Sequence, residues 1–340
     1  MTKEEQNYLK SIELLGEQIK QSYQEAVKMR LPQGYRQVDQ LVTCGMGGSQ
    51  LPVDFVKSLF AGDLKMPIEQ VKDYNLPALV NNKTLVILLS YSGTTEEVLN
   101  CFKGARKKKA KILIITSGGQ LAKLADKHNL PAYIFEPINN PSGQPRMGTG
   151  YLIGSLLAIL KKIGKLDLTE AKVREFYQAA EKGFKDYSCQ ASLKTLAKQL
   201  KNKIPVVVTA EHLQGNAHIM ANQIQESAKQ TTLYFSLPEL NHHLMEGLTY
   251  PASNQKNLFF LFFNSVSYHK RNQKRFRITE QVIAKQKIAF KHFELKGSMV
   301  EQSARLLALG SLLSFYLAGV NQVDPNQIAW VNFFKSEMKK

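Results

Sequence analysis

The sequence predicts an α/β protein made of two doubly wound copies of one domain, each a mainly parallel sheet flanked by helices. Three observations carry that prediction. Residues 41–44, 84–89 and 111–115 are unbroken apolar runs, each ending in a turn rich in Gly, Ser or Thr and followed by a helical pattern. Strands buried on both faces by helices read this way. A second series in the same order follows at residues 205–209, 258–263 and 287–293. Each series closes on a long apolar helix containing Gly-Ser-Leu-Leu, at 154–157 and again at 310–313, which makes the second half a diverged repeat of the first.

Taken in order, the opening MTKEEQNYLKSIELLGEQIK is an amphipathic helix of mixed charge, unlike the charged-then-apolar pattern of a signal peptide. The run at 41–44 meets Gly45, Gly47, Gly48 and Ser49 before a helical pattern at 51–60, the order of a strand, a tight turn and a helix N-terminus. The run at 84–89 ends in Ser90-Tyr91-Ser92-Gly93-Thr94-Thr95, and the third ends in Thr116-Ser117-Gly118-Gly119. A polar helical stretch from 168 to about 203 joins the copies, which gives domains at 1–166 and 167–340. In the second copy the glycine turn is replaced by Glu211-His212-Leu213-Gln214-Gly215, so a site shared between the copies would be chemically asymmetric.

Lys and Arg number 45 against 28 Asp and Glu, a formal charge of +17 that attracts anions without choosing among nucleic acid, membrane surface and phosphorylated small molecule. Residues 269–277 form the densest basic cluster, at the place where a helix of the second copy should begin. A solvated helix start accounts for it better than a nucleic-acid patch, because aromatic interleaving and a nucleic-acid motif are both missing. Three widely spaced cysteines, Cys44, Cys101 and Cys189, argue against a disulfide framework or a structural zinc site and suit a reducing cytoplasm. The apolar runs at 151–160 and 306–320 fall short of the roughly 18 residues of a membrane-spanning helix. The expectation is a soluble, cytoplasmic protein with no metal and no cofactor.

The strongest chemical signal is SYSGTTEE. Four hydroxyls, a glycine that admits close backbone approach and the free N–H groups of a helix start together suit a phosphate. A plain Ser/Thr-rich helix cap is the competing reading. Gly48 and Ser49 on the neighbouring turn favour phosphate, since ligands of open α/β sheets sit beyond the strand C-termini. GMGGSQ fails the dinucleotide fingerprint and no Gly-Lys-Ser/Thr occurs, which weakens nucleotide readings.

With TCGMGGS and LLSYSGTTEE the chain resembles the sugar isomerase (SIS) domain. PSGQPRMGTGYLIGSLL, QIQESAK, PELNH and a late VDP followed by Lys335 narrow the resemblance to the bifunctional phosphoglucose/phosphomannose isomerases, which are tandem SIS proteins. It spans about residues 41–335. The resemblance implies that Gly48, Ser49, Ser90, Ser92 and Thr95 hold a sugar phosphate. It further implies that Arg146 stabilises negative charge, Glu226 is the catalytic base, His242 opens the sugar ring and Lys335 is a late basic contributor. It also implies a homodimer, with the histidine presented across the subunit interface. The sequence departs from the family pattern at Thr94, at Met147-Gly148-Thr149, at His243-Leu244 and at Asn326-Gln327, the last of which bears on substrate range.

These residues suit an aldose–ketose isomerisation. Moving a proton between C2 and C1 needs a carboxylate base, and the enediolate formed on the way needs a fixed cation. Two other classes share the serine loop: a non-catalytic sugar-phosphate regulator, and another SIS enzyme acting on an amino-sugar phosphate. A regulator has no need of Glu226, Arg146 and His242 and usually carries a DNA-binding module, of which the sequence gives no sign.

Overall fold

A computed structural model describes residues 1–338. The elements of the first half are α1 (Lys3–Glu13), α2 (Leu15–Ala26), β1 (Gln40–Cys44), α3 (Leu51–Leu59), β2 (Ile68–Val71), β3 (Thr84–Ser90), α4 (Glu96–Lys107), β4 (Lys111–Thr116), α5 (Gly119–Lys127), β5 (Ala132–Ile134) and α6 (Thr149–Lys162). Two connecting helices follow, α7 (Glu170–Ser188) and α8 (Ala191–Gln199). The second half has β6 (Ile204–Ala210), α9 (Gln214–Ala228), β7 (Leu233–Leu237), α10 (Leu244–Gly247), α11 (Asn254–Asn257), β8 (Leu258–Ser265), α12 (Lys270–Lys285), β9 (Ala289–Leu295), α13 (Met299–Asn321) and α14 (Ala329–Glu337).

The strands form two sheets, ordered β2-β1-β3-β4-β5 and β7-β6-β8-β9, and every pairing between these strands is parallel. The predicted pair of doubly wound sheets is therefore the observed architecture. Strand order reverses between β1 and β3 in one sheet and between β6 and β8 in the other, which puts a crevice at the C-terminal ends of each pair. β1, β3, β4, β6 and β8 are the apolar runs seen in the sequence, and all seven residues of β3 are buried. β2, β5 and β7 gave no such signal. β5 is three residues long, and β2 and β7 lie at sheet edges with exposed residues among them, so continuous apolarity is not required there.

The stretch expected to be a polar connector packs as core. Val173, Phe176 and Ala180 of α7 are buried in the cluster that covers the first sheet. In the opposite sense, Tyr8 and Ile12 of α1 enter the cluster of the second sheet. α13 is longer than the apolar run that announced it. By length and composition it is apolar enough to cross a membrane, but 72% of its apolar window is buried inside the fold, which makes it a core helix here.

α3 and α9 cross at the junction of the two copies. A Cβ on Gly215 would lie 2.5 Å from the Phe55 backbone nitrogen, so only glycine permits the approach. Beside the crossing His218 Nδ1 donates to Asp54 Oδ2 at 2.8 Å, and Lys72 Nζ reaches the same oxygen at 3.2 Å. The His218 ring stacks on Tyr234 with centroids 4.6 Å apart. Burial pushes the Asp54 carboxyl up, but the His218 hydrogen bond and the Lys72 charge outweigh it and hold its pKa at about 2.

A depressed carboxylate pKa contributes stability above its unfolded value and loses it as pH falls through the folded one. Asp54 should therefore contribute about 2 kcal/mol at neutral pH, lost between roughly pH 4 and pH 2. Asp54→Asn should lower the urea midpoint at pH 7 and flatten that acid limb. A variant with an unchanged midpoint at pH 7 would show that the pair contributes nothing to the junction.

Candidate functional site

The site forms where the C-terminal ends of β1 and β3 meet the last turn of α9. β1 runs into a 3₁₀ turn, Gly47–Ser49, that opens α3, and Ser49 Oγ accepts the Tyr91 N–H at 3.1 Å. The turn after β3 thereby leans on the turn after β1. Within it Ser90 and Thr95 hydroxyls are 2.7 Å apart, Ser92 and Thr94 hydroxyls are 3.1 Å apart, and Gly93 N–H donates to Ser90 Oγ at 3.1 Å. Thr95 stands at the N-cap of α4 with no side-chain cap bond, so the positive end of that helix is open toward the turn.

The turn after β4 buttresses this loop. Leu121 N–H donates to Gly93 O at 2.9 Å and Ser117 N–H to Tyr91 O at 3.0 Å. Gly93 has φ +67, and a Cβ on it would sit 2.7 Å from Thr116 Oγ1 and overlap the Gly118 carbonyl oxygen. The loop is thus set by backbone contacts between two strand ends.

Arg146 arrives on the 3₁₀ turn Pro145–Met147 before α6, and a Cβ on Gly48 would touch its Cα at 3.7 Å. Arg146 is only 3% exposed. Its Nη1 reaches Glu226 Oε2 at 3.4 Å and Gln144 Oε1 at 3.1 Å. Its Nη2 donates to the Pro325 and Asn326 carbonyl oxygens, and its Nε has no partner. A guanidinium fixed by two carbonyls and an amide keeps its positive charge directed at the cleft. Glu226 lies in the last turn of α9, about one third exposed.

Through the contacts of Tyr91 with Ser49, Gly48 with Arg146 and Arg146 with Glu226, the fold links Gly48, Ser49, Ser90, Ser92, Thr95, Arg146 and Glu226 into one neighbourhood. It does not bring His242 there within one chain. His242 is exposed after the C-terminal end of β7, whereas Glu226 precedes the N-terminal end of that strand. Five extended residues separate the two ends by about 15 Å. Lys335 is exposed on α14, whose apolar side chains Trp330, Phe333 and Phe334 are exposed with it.

Sequence reasoning missed three participants. Tyr8 of α1 bonds the Ser227 hydroxyl and lies with its ring 5.8 Å from the Arg146 guanidinium. A lone aromatic in an amphipathic helix gives no signal for this. Lys229 Nζ donates to the Glu226 carbonyl oxygen at 2.6 Å, and burial together with the Arg146 charge pushes its pKa down to about 8. Its place in QESAK, three residues after Glu226, was available as a clue. The Pro325 and Asn326 carbonyls act through backbone and leave no mark in residue type. Among the described residues no group of three His, Cys, Asp or Glu is placed to hold a metal.

Two parallel sheets with a hydroxyl-lined turn at the switch point and an ion pair between the copies define a tandem SIS architecture, and known proteins agree. Residues 35–140 match the SIS domain, and residues 190–338 match the bacterial phospho-glucose isomerase C-terminal SIS domain. A bifunctional phosphoglucose/phosphomannose isomerase of Caldicellulosiruptor bescii is 30% identical over 96% of this chain and 98% of its own length. A protein of the same name from Thermoplasma volcanium is 31% identical over 88% of this chain and 91% of its own. The chain belongs to the bifunctional phosphoglucose/phosphomannose isomerase family. A hypothetical protein of Thermus thermophilus shares the fold, with a TM-score of 0.77 at 15% identity over 98% of this chain and 90% of that one.

Gly93→Ala should cost about 2 kcal/mol or more, because the new methyl meets backbone on the opposing turn at a left-handed φ. Chemical denaturation checks the figure. A loss below about 0.5 kcal/mol would mean that the loop moves freely and is not set by its buttress.

Proposed function

We propose that this chain interconverts glucose 6-phosphate, and mannose 6-phosphate, with fructose 6-phosphate through a cis-enediolate. The observation that carries the proposal is the Arg146–Glu226 pair at 3.4 Å, linked through Gly48 and Ser49 to an open, hydroxyl-lined helix N-terminus. A six-carbon substrate held by its phosphate at Ser90–Thr95 reaches across to that pair. Phosphate binding contributes position: remote binding energy orients the carbons that react.

In this reading Glu226 takes the C2 proton of the open-chain aldose and returns it to C1, while the proton of the C2 hydroxyl passes to the C1 oxygen. Charge develops on the enediolate oxygens, and the Arg146 guanidinium, immobilised by Gln144 and the Pro325 and Asn326 carbonyls, stabilises it without reorganising. Turnover of both epimers requires the enediolate to rotate about C2–C3 so that either face meets Glu226. The Asn326-Gln327 segment, through the Asn326 carbonyl on Arg146, helps set the room for that rotation.

His242 opens the ring from a second copy of the chain. Its placement about 15 Å or more from Glu226 along β7 suits a homodimer in which each cleft is completed by the partner. The exposed aromatic face of α14, which carries Lys335, suits the same assembly. The free thiols Cys44, Cys101 and Cys189 fit a cytoplasmic setting. A non-catalytic regulator would have no use for a buried arginine paired with a carboxylate at this place.

Glu226→Gln keeps shape while removing basicity, and should lower kcat on fructose 6-phosphate by on the order of a hundredfold or more with little change in binding. The variant should also stop exchanging the substrate C2 proton with solvent deuterium, followed by NMR. Near-wild-type exchange would assign the base elsewhere.

Ser92→Ala should raise KM about tenfold, the equivalent of about 1.4 kcal/mol for one charge-assisted hydrogen bond. Unchanged KM and kcat in a coupled assay would remove the serine loop from the phosphate site.

A further inference from the structure

The internal repeat aligns the two copies element by element. The 3₁₀ turns Gly47–Ser49 and Glu211–Leu213 follow β1 and β6, and both open on a left-handed residue, Gly47 at φ +48 and Glu211 at φ +45. Ser90 and Ser265 each end a central strand, and a second serine follows two residues later, Ser92 and Ser267. The repeated Gly-Ser-Leu-Leu pairs Arg146 with Gln302, and the register of the opening turns pairs Glu226 with Gly62. The counterpart of the proposed active cleft is thus at the other end of the α3–α9 pair. A cavity of about 720 Å³ lies there, lined by Gly62, Glu211, His212, His218 and Tyr234 among others.

The chain's own groups fill the place that phosphate takes in the first copy. Gln302 Oε1 accepts from Ser265 Oγ, and its Nε2 donates to Ser267 Oγ at 3.1 Å and to Gly297 O at 2.9 Å. Glu211 Oε1 accepts the His269 N–H at 2.8 Å and the Asn272 Nδ2–H at 2.6 Å, which puts a carboxylate on the N-terminus of the 16-residue helix α12. The same N-terminus also carries its own cap, His269 Nδ1 accepting the Arg271 N–H at 3.2 Å, whereas the matching helix α4 has no side-chain cap. His212 donates from Nε2 to Gln302 Oε1, while its buried Nδ1 has no partner beside the same cavity. Glutamate is a poor residue for a left-handed backbone, and glycine holds that place in the first copy.

An ordinary helix cap would explain the hydrogen bonds of Glu211 but not its backbone, nor the sealing of both serines by Gln302. We propose that Glu211 is a built-in counter-ligand: its carboxylate occupies the anion seat of the second copy, so that each chain offers one sugar-phosphate site. The consequence is functional. Gly62 stands where a base would be needed, and sugar phosphate bound in the second cleft would be held without being converted. The inference rests on the reading of Ser90–Thr95 as a phosphate seat.

The test is amide hydrogen exchange on the wild type, Glu211→Gly and Glu211→Gln, with and without inorganic phosphate. Glycine suits the left-handed backbone, so the variant keeps its fold. In the wild type phosphate should slow exchange at residues 93–97 and leave 266–272 unchanged. In Glu211→Gly residues 266–272 should exchange roughly tenfold faster, and phosphate should restore their protection, with two phosphates bound per chain instead of one. Glu211→Gln should regain part of the protection without phosphate. Unchanged exchange at 266–272 in Glu211→Gly would overturn the proposal. So would failure of phosphate to protect them at ten times the concentration that saturates 93–97. Phosphate that protects neither segment in any protein would instead overturn the phosphate seat of the first copy, and with it this inference.

Discussion

Everything at the proposed active cleft depends on how closely α3 and α9 approach. Gly215 lets the backbone of one helix lie against that of the other, and a single added carbon would push them apart. α3 begins at the turn that holds Ser49, and the last turn of α9 carries Glu226. The crossing therefore fixes the distance between the Ser49 turn and Glu226. The Asp54–His218–Lys72 contacts beside it hold the same junction by charge, which is weaker and pH-dependent where the glycine contact is steric and permanent.

A second constraint is electrostatic. A guanidinium that is almost wholly buried needs partners for its donors, and the two Nη atoms of Arg146 find a carboxylate, an amide and two backbone carbonyls, while Nε is left without one. The carbonyls come from the segment before α14, far along the chain from Arg146. They neutralise part of the arginine's hydrogen-bonding capacity without adding negative charge. Glu226 supplies the negative charge of the pair.

Much of this was legible in the residues. Buried parallel strands must be apolar on both faces, so β1, β3, β4, β6 and β8 announced themselves, and the Gly-Ser-Leu-Leu repeat revealed the doubling. Edge strands such as β2 and β7 keep one side in water and left no comparable run. The grouping of Ser90–Thr95 with Gly48 and Ser49 was legible because Ser, Thr and Gly at fixed offsets from neighbouring strand ends place their turns side by side. What could not be read was tertiary. Nothing in Tyr8 marks it for a place beside Arg146, and carbonyl oxygens such as that of Asn326 are common to every residue type. The connecting helix α7 looked polar because its buried face is narrow, with Val173, Phe176 and Ala180 on one side and charge on the other.

The exchange of helices between the two cores has a consequence for how the chain is made. α1 is synthesised before either sheet, yet Tyr8 and Ile12 belong to a core whose other walls include α9, β8 and α13. Tyr8 meets the Ser227 hydroxyl only after a further 219 residues have been translated. During vectorial synthesis the first sheet can assemble on α2 and α6, but the apolar face of α1 waits, uncovered, for the second sheet to arrive. Its mixed charge, with Lys3, Glu4, Glu5, Lys10 and Glu13 on an 11-residue helix, keeps that waiting segment hydrated. Closing the fold is then one late event that joins an early segment to a core made much later. Neither half, cut free, retains all the walls of its own core.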